Sequence, residues 1–158
     1  MAETKSTMYL ELAGKYAKHM SGCTKVKVGS CIVKNGNIVA MGANRAVPDT
    51  CKYRGCLRVE LYGNNSKEHR NPGDCRAIHS EIDAISQAAR NGVSLEGATI
   101  YVTRYPCEAC ARAIIASGIS YIVYGRNQPM SGITRKMLDS ARVCYANDKS
   151  YTEEDTTI

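Results

Sequence analysis

The sequence predicts an α/β protein with a partly parallel sheet, and three observations carry that expectation. Helical and strand periods alternate through the second half of the chain at intervals that fit βαβ crossovers. The 158 residues, 44% hydrophobic and 23% charged, suit a single core of ordinary composition. No apolar run approaches the roughly 20 residues that cross a bilayer, so no membrane association is expected.

Met8, Leu12, Tyr16 and Met20 recur at spacing four, with Tyr9, Ala13 and Ala17 beside them, which predicts a core-facing helix over residues 5–20. Val26, Val28, Cys31, Ile32 and Val33 read as a strand, and Ile38, Val39, Ala40 and Met41 as its partner. Asn35-Gly36 between them is a strong hairpin signal. Residues 42–77 keep no period and are rich in Gly, Pro, Asn and charge, so a long inserted loop is expected over residues 43–77. Ile78, Ile82, Ile85 and Ala89 then form a helical face that stops at Asn91-Gly92. A strand over 98–103, a helix over 107–117 halted by Gly118, a strand over 119–124, a helix containing 130–142 and a short strand near 143–146 follow. The domain is expected to occupy residues 1–146, with 147–158 as a polar, flexible tail. All ten aromatic residues are Tyr, so the core must be built from Ile, Val, Leu, Met and Ala.

Eight cysteines make a disulfide framework only where the compartment oxidises, and Met-Ala-Glu-Thr-Lys-Ser at the start has no apolar signal segment behind it. A cytoplasmic protein with reduced thiols and bound metal is therefore expected. The formal charge of +6 favours an anionic ligand, while the scattering of Lys and Arg argues against nucleic acid.

The chemistry concentrates in His79-Ser80-Glu81 and Pro106-Cys107-Glu108-Ala109-Cys110. Structural zinc sites fill four positions with protein, whereas catalytic ones use three ligands and leave the fourth to water. Here an imidazole and two thiols make three, and Glu81 is a carboxylate held back from the metal. The cysteines share a helix face at spacing three. Pro106 suits a first helical turn, and a helix N-terminus at Cys107 favours the thiolate. His79 and Glu81 lie about 200° apart on an ideal helix, so they converge on one metal only if the helix points its N-terminus at it. A Cys-x-x-Cys alone is more often half a structural zinc site or a redox pair, and a lone His-x-Glu occurs by chance in most chains of this size. The conjunction of the two, across an intervening strand, is the arrangement of zinc deaminases acting on nucleobases. Cys51, Cys56, His69 and Cys75 on the loop, with Cys23 nearby, supply enough soft ligands for a second, structural zinc held by four of these five, which would order the loop where packing cannot.

From about Ser21 to Gly125 the chain resembles the deoxycytidylate (dCMP) deaminase family of the cytidine deaminase-like superfamily. The resemblance is carried by Ser21-Gly22-Cys23, Lys27-Val28-Gly29, Gly42-Ala43-Asn44, Cys51, Gly55-Cys56-Leu57-Arg58, Glu68-His69, Cys75, His79-Ser80-Glu81, the segment from Glu96 to Thr103, and Tyr105-Pro106-Cys107. It implies a three-layer α/β/α fold, with a mixed five-stranded sheet flanked by helices. It also implies hydrolysis of dCMP to dUMP and ammonia, a step feeding thymidylate synthesis. By resemblance His79, Cys107 and Cys110 hold the catalytic zinc and Glu81 shuttles the proton. Cys23, Cys51, His69 and Cys75 are favoured for the second zinc, with Cys56 a rival. Asn44 would meet the sugar hydroxyl, with Tyr105, Lys27 and Arg45 also at the substrate. Lys25, Lys27, Arg45 and Arg104 are the candidates for the phosphate. A homo-oligomer, hexameric in relatives, and dCTP or dTTP as effectors are implied too. The chain departs from the family at Ser80, where Ala is usual, at Asp83, where Asn is usual, and at Arg45, where Gly is usual. Two other readings share the motifs: a deaminase of another cytosine nucleotide, nucleoside or single-stranded nucleic acid, and a non-catalytic zinc module.

Overall fold

The computed structural model describes residues 5–46, 51, 55–63, 75–125 and 130–151. Helix α1 (Lys5–Met20) leads into a hairpin of β1 (Gly29–Lys34) and β2 (Asn37–Ala43). Asn35 and Gly36 take φ of 52° and 79°, the left-handed pair that a tight two-residue hairpin turn requires. There follow β3 (Arg45–Ala46), α2 (Leu57–Tyr62), β4 (Ala77–Ile78) and α3 (Ser80–Arg90). The chain continues through β5 (Thr99–Val102), α4 (Glu108–Ala116), β6 (Tyr121–Tyr124), α5 (Gly132–Ser140) and β7 (Cys144–Asn147).

The main sheet has the order β2-β1-β5-β6-β7. β1 is antiparallel to both its neighbours, and β5, β6 and β7 run parallel, which gives the mixed five-stranded sheet expected. Side chains alternate across it. Ile32, Ile100, Val102 and Ile122 face Ala84 and Ala88 of α3, Ala111 and Ile114 of α4, and Leu138 of α5. Cys31, Val33 and Val123 face the other way, toward Leu10 and Ala13 of α1. Each fully buried Ile or Leu contributes about 1.5–3 kcal/mol, so the three-helix face dominates the apolar stabilisation. No described helix is long and apolar enough to cross a membrane.

The topology also decides where a site can form. Gly29 pairs with Ala43, Ser30 pairs with both Gly42 and Val102, and Thr103 N–H donates to the Gly29 carbonyl. The carboxyl ends of β2 and β5 and the amino end of β1 therefore share one edge of the sheet, the edge at which α/β proteins place ligands. Helix α3 lies directly on β2 there: a Cβ on Gly42 would press into the Ser80 carbonyl oxygen and the Ala84 nitrogen. Gly42→Ala is expected to lower the unfolding free energy by about 1–3 kcal/mol through overpacking, measured by urea denaturation. The control is Gly132→Ala, where nothing lies within 4 Å of the added carbon and no comparable loss is expected.

Four expectations need correction. The buried stripe of α1 is Thr7, Leu10, Ala13 and Ala17, while Met8 and Met20 are exposed, so the spacing-four series lies off the core-facing line. The 43–77 insertion holds β3, β4 and α2, too short or too exposed to show a period; its described parts are joined by the antiparallel β3–β4 pair and an Arg76–Glu60 ion pair at 3.3 Å. Val26 and Val28 precede the strand that they were expected to start. The tail does not begin at Asn147, which closes β7: Thr7 Oγ1 donates to Asp148 Oδ2 at 3.1 Å, and Tyr151 is buried against Gly14 and Gly125. Residues 152–158 lie outside the described ones.

Arg45 and Asp83 meet each other. Asp83 Oδ2 accepts from Arg45 Nε at 2.9 Å, Ala43 N at 3.0 Å and Gln87 Nε2 at 3.1 Å, and the Arg45 guanidinium also donates to the Tyr16 hydroxyl. The two charges thus compensate each other and tie α3 to the end of β2.

Candidate active site

Two helices begin at this sheet edge, and each starts beside a ligand-type residue. His79 is the N-cap of α3 and Cys107 that of α4, both in extended backbone. Pro106 accordingly sits one residue ahead of the cap, not in the first turn. Cys110 is on the first turn of α4 and fully buried. His79 Nδ1 stands 3.5 Å from Cys107 Sγ and 3.4 Å from Cys110 Sγ, and the ligand atoms of the three residues all lie within 4.8 Å of one another. A tetrahedral zinc with its usual bond lengths to sulfur and nitrogen imposes an S···N separation of roughly 3.5 Å. The donor set and its spacing therefore fit zinc, with His79, Cys107 and Cys110 as the residues that would hold it. Among the described residues this is the one His, Cys and carboxylate group with such spacing.

The three ligands differ in proton affinity. Hydrogen bonding from Cys110, and then from His79, outweighs burial and draws the Cys107 thiol down to about 4. Bonds to Cys107 and then Cys75 lift His79 to about 10. The Cys110 thiol is pushed up by its bond with Cys107 and by burial. At neutral pH Cys107 is thus a thiolate, while His79 and Cys110 hold protons that a metal must displace. In a variant lacking the loop cysteines, zinc loading of the His79 site at pH 7 is expected to release about two protons per ion, read with a pH indicator in weak buffer. Because the His79 affinity is raised, release should fall off only as pH climbs toward 10.

Glu81 occupies the first turn of α3 and is 4% exposed. Burial raises its proton affinity, opposed by the positive charge of His79. Ser80 Oγ donates to Glu81 Oε2 at 3.2 Å. Above them opens a cavity of about 340 Å³, walled by Val26, Asn44, Arg58, Arg104 and Tyr105.

The remaining expected residues divide. Asn44 and Tyr105 line the cavity. Asn44 also pins the entry to β1: its Oδ1 accepts from Ser21 Oγ at 2.6 Å and Val28 N at 2.8 Å, and its Nδ2 donates to the Val26 carbonyl at 2.8 Å. Lys27 Nζ is turned away to the Lys18 carbonyl, and Arg45 is held by Asp83. Of the phosphate candidates, Arg104 lines the cavity. Arg58 lines it as well and had no role from sequence; its Nε is buried without a hydrogen-bond partner among the described residues. Its place after Gly55-Cys56-Leu57 was the available signal.

Cys23 and Cys51 are buried, with Cys56 and Cys75 partly so. Burial, then the neighbouring sulfurs of Cys23, Cys75 and Cys56, push the Cys51 thiol up, though no three of these four sulfurs all lie within 4.8 Å of one another. Cys23 Sγ accepts the N–H groups of Lys25 and Val26, each at 3.4 Å. His69 lies outside the described residues.

A family model for the cytidine and deoxycytidylate deaminase zinc-binding region matches residues 3–126. The chain is 36% identical over 149 residues to the deoxycytidylate deaminase of Enterobacteria phage T4, covering 76% of this chain and 77% of that one. It is 32% identical over 125 residues to ComE operon protein 2 of Bacillus subtilis, covering 78% of this chain and 60% of that one. To the deoxycytidylate deaminase of Saccharomyces cerevisiae it is 31% identical over 156 residues, 98% of this chain but 47% of the yeast protein. The chain thus spans less than two thirds of the latter two. The solved structure of dCMP deaminase from the cyanophage S-TIM5, in complex with dCMP and dUMP, shares its fold with a TM-score of 0.65 and 22% identity, over 94% of this chain and 99% of that one.

Proposed function

The chain belongs to the cytidine and deoxycytidylate deaminase zinc-binding family, and on that premise we propose that it hydrolyses dCMP to dUMP and ammonia. The observation carrying this is the buried Glu81 carboxylate beside a group of three zinc-type ligands, at the base of a nucleotide-sized cavity. Zinc, when bound, supplies Lewis acidity that makes water a nucleophile at neutral pH. Glu81 takes the proton of the attacking water, passes it to the ring nitrogen, and assists the departing amine as the C4–N bond breaks and the C4–O bond remains. A carboxylate coordinated to the metal could not serve this way; Glu81 is outside the ligand group. Asn44 keeps one Nδ2 hydrogen for a sugar hydroxyl after donating the other to Val26. Arg58 and Arg104 on the cavity wall suit a phosphate.

An ammonia-release screen over dCMP, CMP, deoxycytidine, dCTP and a cytosine-containing single strand tests the reading. Highest kcat/KM on dCMP is expected; preference for the strand would replace the substrate assignment, and no turnover by zinc-loaded protein would leave a binding module. The reading includes a second, structural zinc on the loop cysteines, supported by the electrostatic coupling of Cys51 to Cys23, Cys75 and Cys56 and by the two N–H donors at Cys23. Elemental analysis is expected to give about two zinc ions per chain, and one ion per chain removes the loop site. It also includes a cytoplasmic homo-oligomer answering to dCTP or dTTP, to be tested by sedimentation and rate measurements with each nucleotide.

A further inference from the structure

Ser80 and Ser30 form a buried hydroxyl pair that the reaction as described does not use. Both are fully buried, their Oγ atoms lie 2.7 Å apart, and Ser80 Oγ reaches Glu81 Oε2 at 3.2 Å. Each hydroxyl has one proton, and an ionised carboxylate only accepts. With Glu81 ionised, as a general base must be, Ser80 gives its proton to Glu81, which leaves Ser30 to donate to the Ser80 oxygen. The chain has a direction, from Ser30 through Ser80 to Oε2. Its origin is rigid: Ser30 stands in β1 between Gly42 and Val102, paired on both sides.

We propose that Ser80, backed by Ser30, is a positioning residue that ties Glu81 through Oε2 and so sets how its carboxylate meets the proton it moves. This rests on the deaminase reading above. A glutamate on the first turn of a helix has several rotamers, and general acid–base transfer needs the carboxylate within hydrogen-bond reach of the proton that it moves. The anchor holds it there from the middle of the sheet. An alanine at position 80 would have no hydroxyl with which to do so. In this chain the sheet and the proton carrier are coupled through two side chains.

The test uses full-length, zinc-loaded protein. Ser80→Ala is expected to lower kcat for dCMP about tenfold, the scale of a small misplacement of a reacting group, with KM and zinc content within twofold of the parent. Ser80→Cys keeps the shape with a weak donor and should behave alike, which guards against a folding failure of the alanine variant. Ser30→Ala should have a smaller effect, and the double variant should be no worse than Ser80→Ala, because Ser30 acts through Ser80. A crystal structure of Ser80→Ala should show the Glu81 carboxylate spread over more than one rotamer. Parent-like kcat, a loss residing in KM, multiplying effects in the double variant, or a single unshifted Glu81 rotamer each overturns the proposal. Failure of the parent itself to deaminate dCMP would sink the functional reading instead, so the two failures are distinguishable.

Discussion

Glu81→Gln is expected to reduce ammonia release by about 10²–10⁴-fold, the range attributed to a positioned general acid–base group, while zinc content stays at the parent level. Glutamine has nearly the same shape, so a side chain only 4% exposed can be replaced without opening a cavity. Its amide oxygen can still accept from Ser80. What it cannot do is take a proton from water and return it to the ring. None of the three zinc-type ligands is altered, so metal analysis and rate measurement should separate cleanly. If the variant turns over dCMP at the parent rate, another group carries the proton and the assignment to Glu81 fails.

Cys110→Ala should abolish activity by a different route, through the metal. Cys110 is fully buried and 3.4 Å from His79 Nδ1, so it cannot be replaced as a ligand by a passing side chain or by solvent without cost. Losing one of three protein ligands leaves a two-ligand site, and structural zinc affinities of about 10–16 kcal/mol rest on complete sets. After dialysis, zinc at the His79 site should fall to under about a tenth of an equivalent. The removed sulfur sits on α4 near the core, so far-UV circular dichroism should change little. Zinc retained at parent stoichiometry, counted against a variant lacking the loop cysteines, would show that Cys110 is no ligand.

The chemistry of this site was unusually legible in the sequence because each key residue sits at or near the start of its helix. His79 with Glu81, and Cys107 with Cys110, are short-range pairs, and the βαβ rhythm brings the two helix starts to one edge. Outside the 43–77 insertion, fold elements with four or more residues declared themselves by period. What stayed hidden depends on partners distant in sequence. Arg45 read as a substrate contact and Asp83 only as an unusual charge, yet across 38 positions they form one ion pair. Asn44 read as a sugar ligand, and its amide also staples Val26 and Val28. Two-residue strands such as β3 and β4 cannot display alternation, and α2 buries none of its residues, so neither leaves a pattern. Arg58 is one arginine among many until the fold turns it to the cavity.

The docking of Tyr151 between Gly14 and Gly125, with Thr7 bonded to Asp148 and Ser150, bears on how the protein is made. Ribosomes add about 5–20 residues per second, so Tyr151 is synthesised on the order of ten seconds after α1. Through that interval Leu10 lacks the ring that covers it, and the amino-terminal helix can seat on the hairpin but not close over β6. Final docking of α1 must then wait until Tyr151 has been synthesised and has emerged from the ribosome.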